Sequence, residues 1–226
     1  LDGSVIVNEQ LLRTVDCRAV DRHEDSHAES AAVGEGEQII DLQFPDTGLR
    51  WEWRVRQIDQ ELEVSAKLVN QSSKVLHIDD WNLLHADLSA GSTVHLGENP
   101  GDVRFFGWHP WDMRVETLSG EDGHHDAHNL CHLYDPVSGV TFLCGFVTLD
   151  RMSCRHHLNY SSEKGIEEYR AECTFGRYAL APGAEITSET LRIGFYLDPY
   201  AALDRWAETV HGIYKPEFVD LPPVGW

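Results

Sequence analysis

Apolar residues recur at every second position through much of this chain. In "GLRWEWRVRQ", Leu49, Trp51, Trp53 and Val55 alternate with Arg50, Glu52, Arg54 and Arg56, the pattern of a half-buried strand with a charged outer face. "ELEVSAKLVN" repeats it with Leu62, Val64, Ala66 and Leu68 set against Glu61, Glu63, Ser65 and Lys67, and "NQSSK" supplies a turn before "VLHIDDW". In "HLYDPVSGVTFLCGFV" two apolar runs flank Asp135-Pro136-Val137-Ser138-Gly139, where proline presets a turn and glycine accepts positive φ, so a hairpin is expected. "YRAECTFGRYALAPGAEITSETLRIGFYLD" adds two or three strands broken at "APGAE". Short antiparallel strands with turn signals between them predict a sandwich.

Two stretches depart from period two. Residues 21–36, "DRHEDSHAESAAVGEG", are polar, small and charged, and read as a long loop. "DPYAALDRWAETVHGIYK" offers Asp198 as an N-cap, Pro199 at the first helical position, and a stripe of Leu203, Trp206, Ala207 and Val210. The expected organisation is a β domain over 1–198, a helix over 199–214 and a linker over 215–226.

Composition narrows the class of ligand. The 226 residues suit one large domain, and 18 Lys+Arg against 38 Asp+Glu leave a net charge of −20. That balance disfavours nucleic acid, anionic membranes and polyanionic substrates, and leaves neutral or cationic ligands. No apolar run is long enough to span a bilayer. The chain starts at Leu1 without a basic-then-apolar leader, so the expectation is that a signal peptide is absent or already removed. Cys17, Cys131, Cys144, Cys154 and Cys173 are odd in number and scattered, which argues against a disulfide framework and leans toward a reducing compartment such as a bacterial cytoplasm.

The densest group of potential metal ligands is "HHDAHNLCHLY", with His124, His125, Asp126, His128, Cys131 and His132, followed later by Cys154, His156 and His157. On a helix His124, His128 and His132 would share one face and suit zinc. The run leads directly into the hairpin, where alternation sends neighbouring side chains to opposite faces, so the expectation is a loop-to-strand histidine cluster without metal or cofactor. The acidic doublets Asp79-Asp80, Glu121-Asp122 and Glu167-Glu168 are divided by the same alternation, so none is itself a glycosidase pair. No nucleophile elbow, phosphate-cradling loop or dinucleotide fingerprint is present. "VRFFGWHPWD" sets Phe105, Phe106, Trp108 and Trp111 around Gly107 and Pro110, which bend the chain and favour a loop or strand end. Its indoles either pack in the core or offer flat faces to a sugar.

These last residues carry a resemblance. "VRFFGWHPWD" resembles the "NG(W/Y)QSWS" segment in the amino-terminal domain of glycoside hydrolase family 36, the α-galactosidases and raffinose-synthase-like proteins, with His109-Pro110 standing where the family has Gln-Ser. "LYDPVSGVTFLCGFVTLDR" is similar to the hairpin that follows, and "LDPYAALDRWAETV…PPVGW" to the helix, linker and entry into the catalytic barrel.

The resemblance implies an all-β, antiparallel β-supersandwich of the galactose-mutarotase style, followed by a C-terminal helix and a linker into a (β/α)8 barrel. In the family both catalytic aspartates sit on that barrel, so no catalytic residue falls within this chain. It further implies a retaining α-galactosidase as the parent, an α-galactoside and the barrel as partners, and Trp111, then Trp108, with Trp226, at the sugar site. No nucleic acid or membrane partner is expected, and a homo-oligomer stays open. Two alternatives remain: a free-standing carbohydrate-binding module, and a mutarotase-like epimerase built on His77, His85 and His132 with Glu172.

Overall fold

The computed structural model describes residues 3–14, 18–24, 36–97, 103–109, 112–118 and 122–217. In chain order they form β1 (Ser4–Val7), β2 (Gln10–Arg13), β3 (Arg18–Glu24), β4 (Glu37–Phe44), β5 (Leu49–Ile58), β6 (Glu61–Asn70), β7 (Leu76–Asp87), β8 (Arg104–His109), β9 (Asp112–Thr117), β10 (Gly123–His128), β11 (Leu130–Tyr134), β12 (Thr141–Phe146), β13 (Ser153–Ser161), β14 (Gly165–Thr174), β15 (Tyr178–Leu180), β16 (Glu185–Thr187), β17 (Leu191–Tyr196) and α1 (Pro199–Tyr214).

The strands make two antiparallel sheets. One runs β10-β13-β14-β7-β1-β2, with β15 also on β7; the other runs β3-β4-β5-β6-β17-β12-β11-β8-β9, with β16 on β6. Their inner faces bury one core, in which Trp51, Trp81, Tyr169, Phe105 and Phe146 are the largest enclosed side chains. Trp51 meets Trp81 edge to face at 5.8 Å, an arrangement that aromatic quadrupoles favour. The fold is therefore an all-β sandwich with a C-terminal helix, as the period-two pattern and the resemblance both imply.

Local chemistry explains the turns. β5 and β6 pair in register from Leu49↔Asn70 to Ile58↔Glu61, with Asp59 at φ 54 in the tight connection. In the β11–β12 turn the Asp135 carboxylate accepts hydrogen bonds from Val137 N (2.9 Å) and Ser138 N (3.2 Å), and Gly139 takes φ 74. Gly48 has φ 69, and a Cβ there would stand 2.8 Å from Ser72 Cβ, so the end of the β4–β5 hairpin is reserved for glycine twice over.

Several local expectations change. Arg18–Glu24 is a strand paired with Glu37–Phe44, so the polar run over 21–36 begins as sheet; residues 25–35 lie outside the described set. β3 is the outer strand of its sheet, a place where backbone pairing tolerates polar sequence that would fail in the core. The segment from Tyr169 carries four strands rather than two or three, because short β15 ends just before "APGAE" and short β16 begins at its last residue, Glu185. Glu52 on the charged face of β5 is buried, closed in by Arg54, Arg50 and Lys67.

The helix starts as expected. Asp198 accepts from Tyr200 N at 2.9 Å and Ala201 N at 3.3 Å, and Pro199 stands at the first position. Its packed stripe is rotated from the expected one: Ala202, Leu203 and Trp206 meet Leu130, Leu143 and Tyr196 on the outward face of the second sheet, while Ala207 is exposed. Gly145 makes the room. A Cβ there would lie 2.5 Å from Trp206 Nε1, and without it that nitrogen donates to Phe146 O at 3.1 Å. Tyr214 ties down the far end, its hydroxyl accepting from Leu149 N and donating to Asp150 Oδ1 at 3.1 Å.

Candidate functional site

Phe105, Phe106 and Trp108 lie within a strand rather than on a bent loop, and Pro110 lies outside the described residues. β8 pairs with β11 on one side and β9 on the other, with Gly107 opposite both Cys131 and Arg114. Glycine is needed there for close approach: a Cβ on Gly107 would come within 2.7 Å of Phe105 Cζ and 3.0 Å of Ala127 Cβ. That contact brings β10, the outer strand of the first sheet, against β8 of the second.

Alternation then divides the aromatics. Phe105 is 1% exposed in the core, whereas Phe106 and Trp108 are half-buried on the side that faces α1. Between strand and helix lies a groove of about 420 Å³ lined by Phe106, Trp108, His128, Leu130, Leu203 and Trp206. Trp108 meets the His128 ring edge to face at 6.4 Å. An open apolar cleft with two indoles and a few polar groups has the chemistry of a sugar platform. Trp111 and Trp226 lie outside the described residues.

The histidine run divides between the sheets at a single residue. Asn129, at φ 60, donates its N–H to Cys154 O in the first sheet (3.1 Å) and accepts from Phe146 N in the second (2.8 Å). His124, Asp126 and His128 alternate with buried Ala127 on β10. His132 belongs to the second sheet, where it is 6% exposed and its Nε2 lies 3.3 Å from Pro199 O. Burial holds its imidazole below the usual pKa against the pull of that carbonyl. Burial also lowers His128, helped by the charge of Arg155. In place of His132, His109 from β8 joins Asp126 and His128, a grouping that sequence distance conceals.

The outward face of the first sheet is polar from edge to edge. His124 Nδ1 lies 3.0 Å from Asn159 Oδ1, and Asn159 Nδ2 donates to Glu168 Oε2 at 2.7 Å. Glu168 Oε1 lies 3.1 Å from His85 Nε2, and His85 Nδ1 lies 3.0 Å from Ser4 Oγ, which accepts from Asn82 Nδ2 at 3.0 Å. Beside this line His157 Nε2 stands 3.4 Å from Glu172 Oε2. Burial, and next the Glu172 charge, raise the Asp80 carboxyl above its ordinary pKa. Asn82 Oδ1 and His157 Nδ1 are buried with no hydrogen-bond partner among the described residues. Of the four epimerase candidates, His85 and Glu172 share this face; His77 sits at the start of β7 opposite Ala179, and His132 is in the other sheet.

Cys131 and Cys144 face each other across β11 and β12, and Cys154 and Cys173 across β13 and β14; all four are buried free thiols. Burial pushes the Cys144 thiol up to about 12, which removes it from nucleophilic chemistry near neutrality.

No family model matches the sequence, and no curated protein matches it. Solved structures do match in fold. The family 36 α-galactosidase AgaA of Geobacillus stearothermophilus, in complex with stachyose, superposes with a TM-score of 0.61 at 11% identity over 92% of this chain and 32% of its own. AgaB of the same organism gives 0.60 at 10% identity over 92% and 31%. An α-galactosidase of Lactobacillus brevis gives 0.56 at 13% identity over 93% and 28%. The chain thus spans about a third of the length of these enzymes. Its fold is that of the N-terminal domain of glycoside hydrolase family 36 α-galactosidases.

Proposed function

We propose that this chain is a non-catalytic domain of an α-galactosidase-like glycoside hydrolase, which helps to shape the sugar site of a catalytic barrel that follows it. The observation that carries this reading is the fold match over 92% of the chain to enzymes three times as long, one of them in complex with stachyose. The groove beside Trp108 supports it. Trp108 is half-buried outside the inter-sheet core, on the same surface as Trp206, and can offer an indole face to a ring. Trp111 and Trp226 are proposed to act with it at the rim of the sugar site.

The test has two parts. The isolated chain should show no turnover of an aryl α-galactoside; turnover that survives removal of contaminating enzymes overturns the non-catalytic reading. In the enzyme with its barrel, Trp108→Ala and Trp111→Ala should raise KM more than they lower kcat, because a stacking platform binds ground and transition states alike.

One observation favours a second reading. Glu172, His157 and His85 share an outward face with two buried polar atoms that have no hydrogen-bond partner among the described residues, and a carboxylate base beside an imidazole suits ring opening of an aldose. Polarimetry on freshly dissolved galactose decides it: an accelerated change of rotation that Glu172→Gln abolishes supports an epimerase, and the buffer rate excludes one.

A further inference from the structure

We propose that His109, Asp126 and His128 form a binding site for a divalent transition-metal ion of the zinc class. One potential ligand atom from each lies within 4.8 Å of the others, and His109 Nδ1 stands 4.0 Å from Asp126 Oδ2. Ligands at roughly 2.0–2.1 Å from a tetrahedral metal stand about 3.4 Å apart, so side-chain rotations that close each gap by an ångström or so complete the set. Two imidazoles and one carboxylate are borderline donors suited to zinc, with a fourth position left for water or an external ligand.

The strands set the placement, and His128 and Trp108 also line the groove beside α1. Asp126 and His128 are two apart on β10, so their side chains leave the strand on one side, and the close approach of β10 to β8 at Gly107 sets His109 beside them. His109 is 15% exposed and Asp126 44%, which gives an ion shelter and a way in. Trp108 packs on the His128 ring and limits its rotation. His157, the cross-strand neighbour of Asp126, carries the unpartnered Nδ1 noted above, on a surface already short of one polar partner. Arg155, opposite His128, opposes a cation; it is exposed, and solvent weakens its repulsion relative to the adjoining Asp126 carboxylate.

The experiment uses the chain without a histidine tag, stripped with chelator and titrated with Co²⁺ by visible absorption, then with Zn²⁺ in competition. A d–d band saturating at one ion per chain and displaced by Zn²⁺ is expected. His109→Ala, His128→Ala and Asp126→Asn should each weaken Zn²⁺ at least about tenfold, the lower end of what even an outer hydrogen-bonding partner costs. His124→Ala, on the exposed end of β10, should not. In the unaltered protein Zn²⁺ should shift the imidazole nitrogen resonances of His109 and His128, which keeps the test decisive if a variant misfolds. Absence of the band, equal affinity in the His109→Ala/His128→Ala variant, or shifts confined to other histidines overturns the proposal.

Discussion

The outward faces of the two sheets solve the same problem in opposite ways. On the second sheet Leu130, Leu143 and the ring of Tyr196 are covered by α1, with Gly145 hollowed out for Trp206. On the first, five neighbouring strands carry His124, Asn159, Glu168, His85 and Ser4 in one line of hydrogen bonds. The covered face gains from burial, and a few directional bonds fix its helix, among them Trp206 Nε1 to Phe146 O and Arg192 Nη1 to Thr209 Oγ1 at 3.0 Å. The polar face gains only while each group keeps its partner, since a buried donor without an acceptor costs more than the bond contributed.

The largest effect should come from the covered face. Trp206→Ala removes a half-buried indole and its hydrogen bond to Phe146 O, and should cost about 3 kcal/mol, the lower end for truncating a large aromatic. Denaturant unfolding measures it; an unchanged midpoint would mean that α1 is not held on the sandwich by this residue.

Cutting the polar line should cost less. Glu168→Ala strands Asn159, His85 and Arg170 together, and a loss of about 2 kcal/mol is expected from their lost partners. A loss of a few tenths would show that water replaces the carboxylate freely, and would shrink the contrast between the faces.

The smallest effect is one of pH. The Asp80 carboxyl is raised in the folded chain by burial and by Glu172, so the stability it contributes is full below its unfolded pKa, the ordinary carboxylate value of 3.8, and is lost as pH rises through the folded value. Asp80→Asn should therefore raise the melting midpoint modestly at neutral pH and leave it unchanged well below pH 3.8. A gain at both pH values would trace to something other than the titration.

The two faces also differ in how far sequence reveals them. Leu49, Trp51 and Trp53 alternate because one face of their strand is buried, and Asp198-Pro199 announces a helix start through its own backbone chemistry; both signals are local. The line from His124 to Ser4 joins residues brought together by strand order, and no short window contains it. The same holds for the metal group, since His109 and His128 reach each other only because β8 and β10 lie in different sheets and touch at Gly107. The rotated stripe of α1 has a similar cause: period 3.6 identifies a stripe, but the hollow at Gly145 selects which residues fill it.

Asn129 makes the molecule intolerant of insertion at one point. Its N–H is bonded to one sheet and its C=O to the other, so an extra residue there would break at least one of these two bonds where the chain passes between the sheets. The turn at 181–184 carries a similar double duty, passing from β15 on the first sheet to β16 on the second while Gly183 N–H donates to Asn70 O and Ala184 O accepts from Asn70 N, so neither crossing is a place to graft a tag or a second domain.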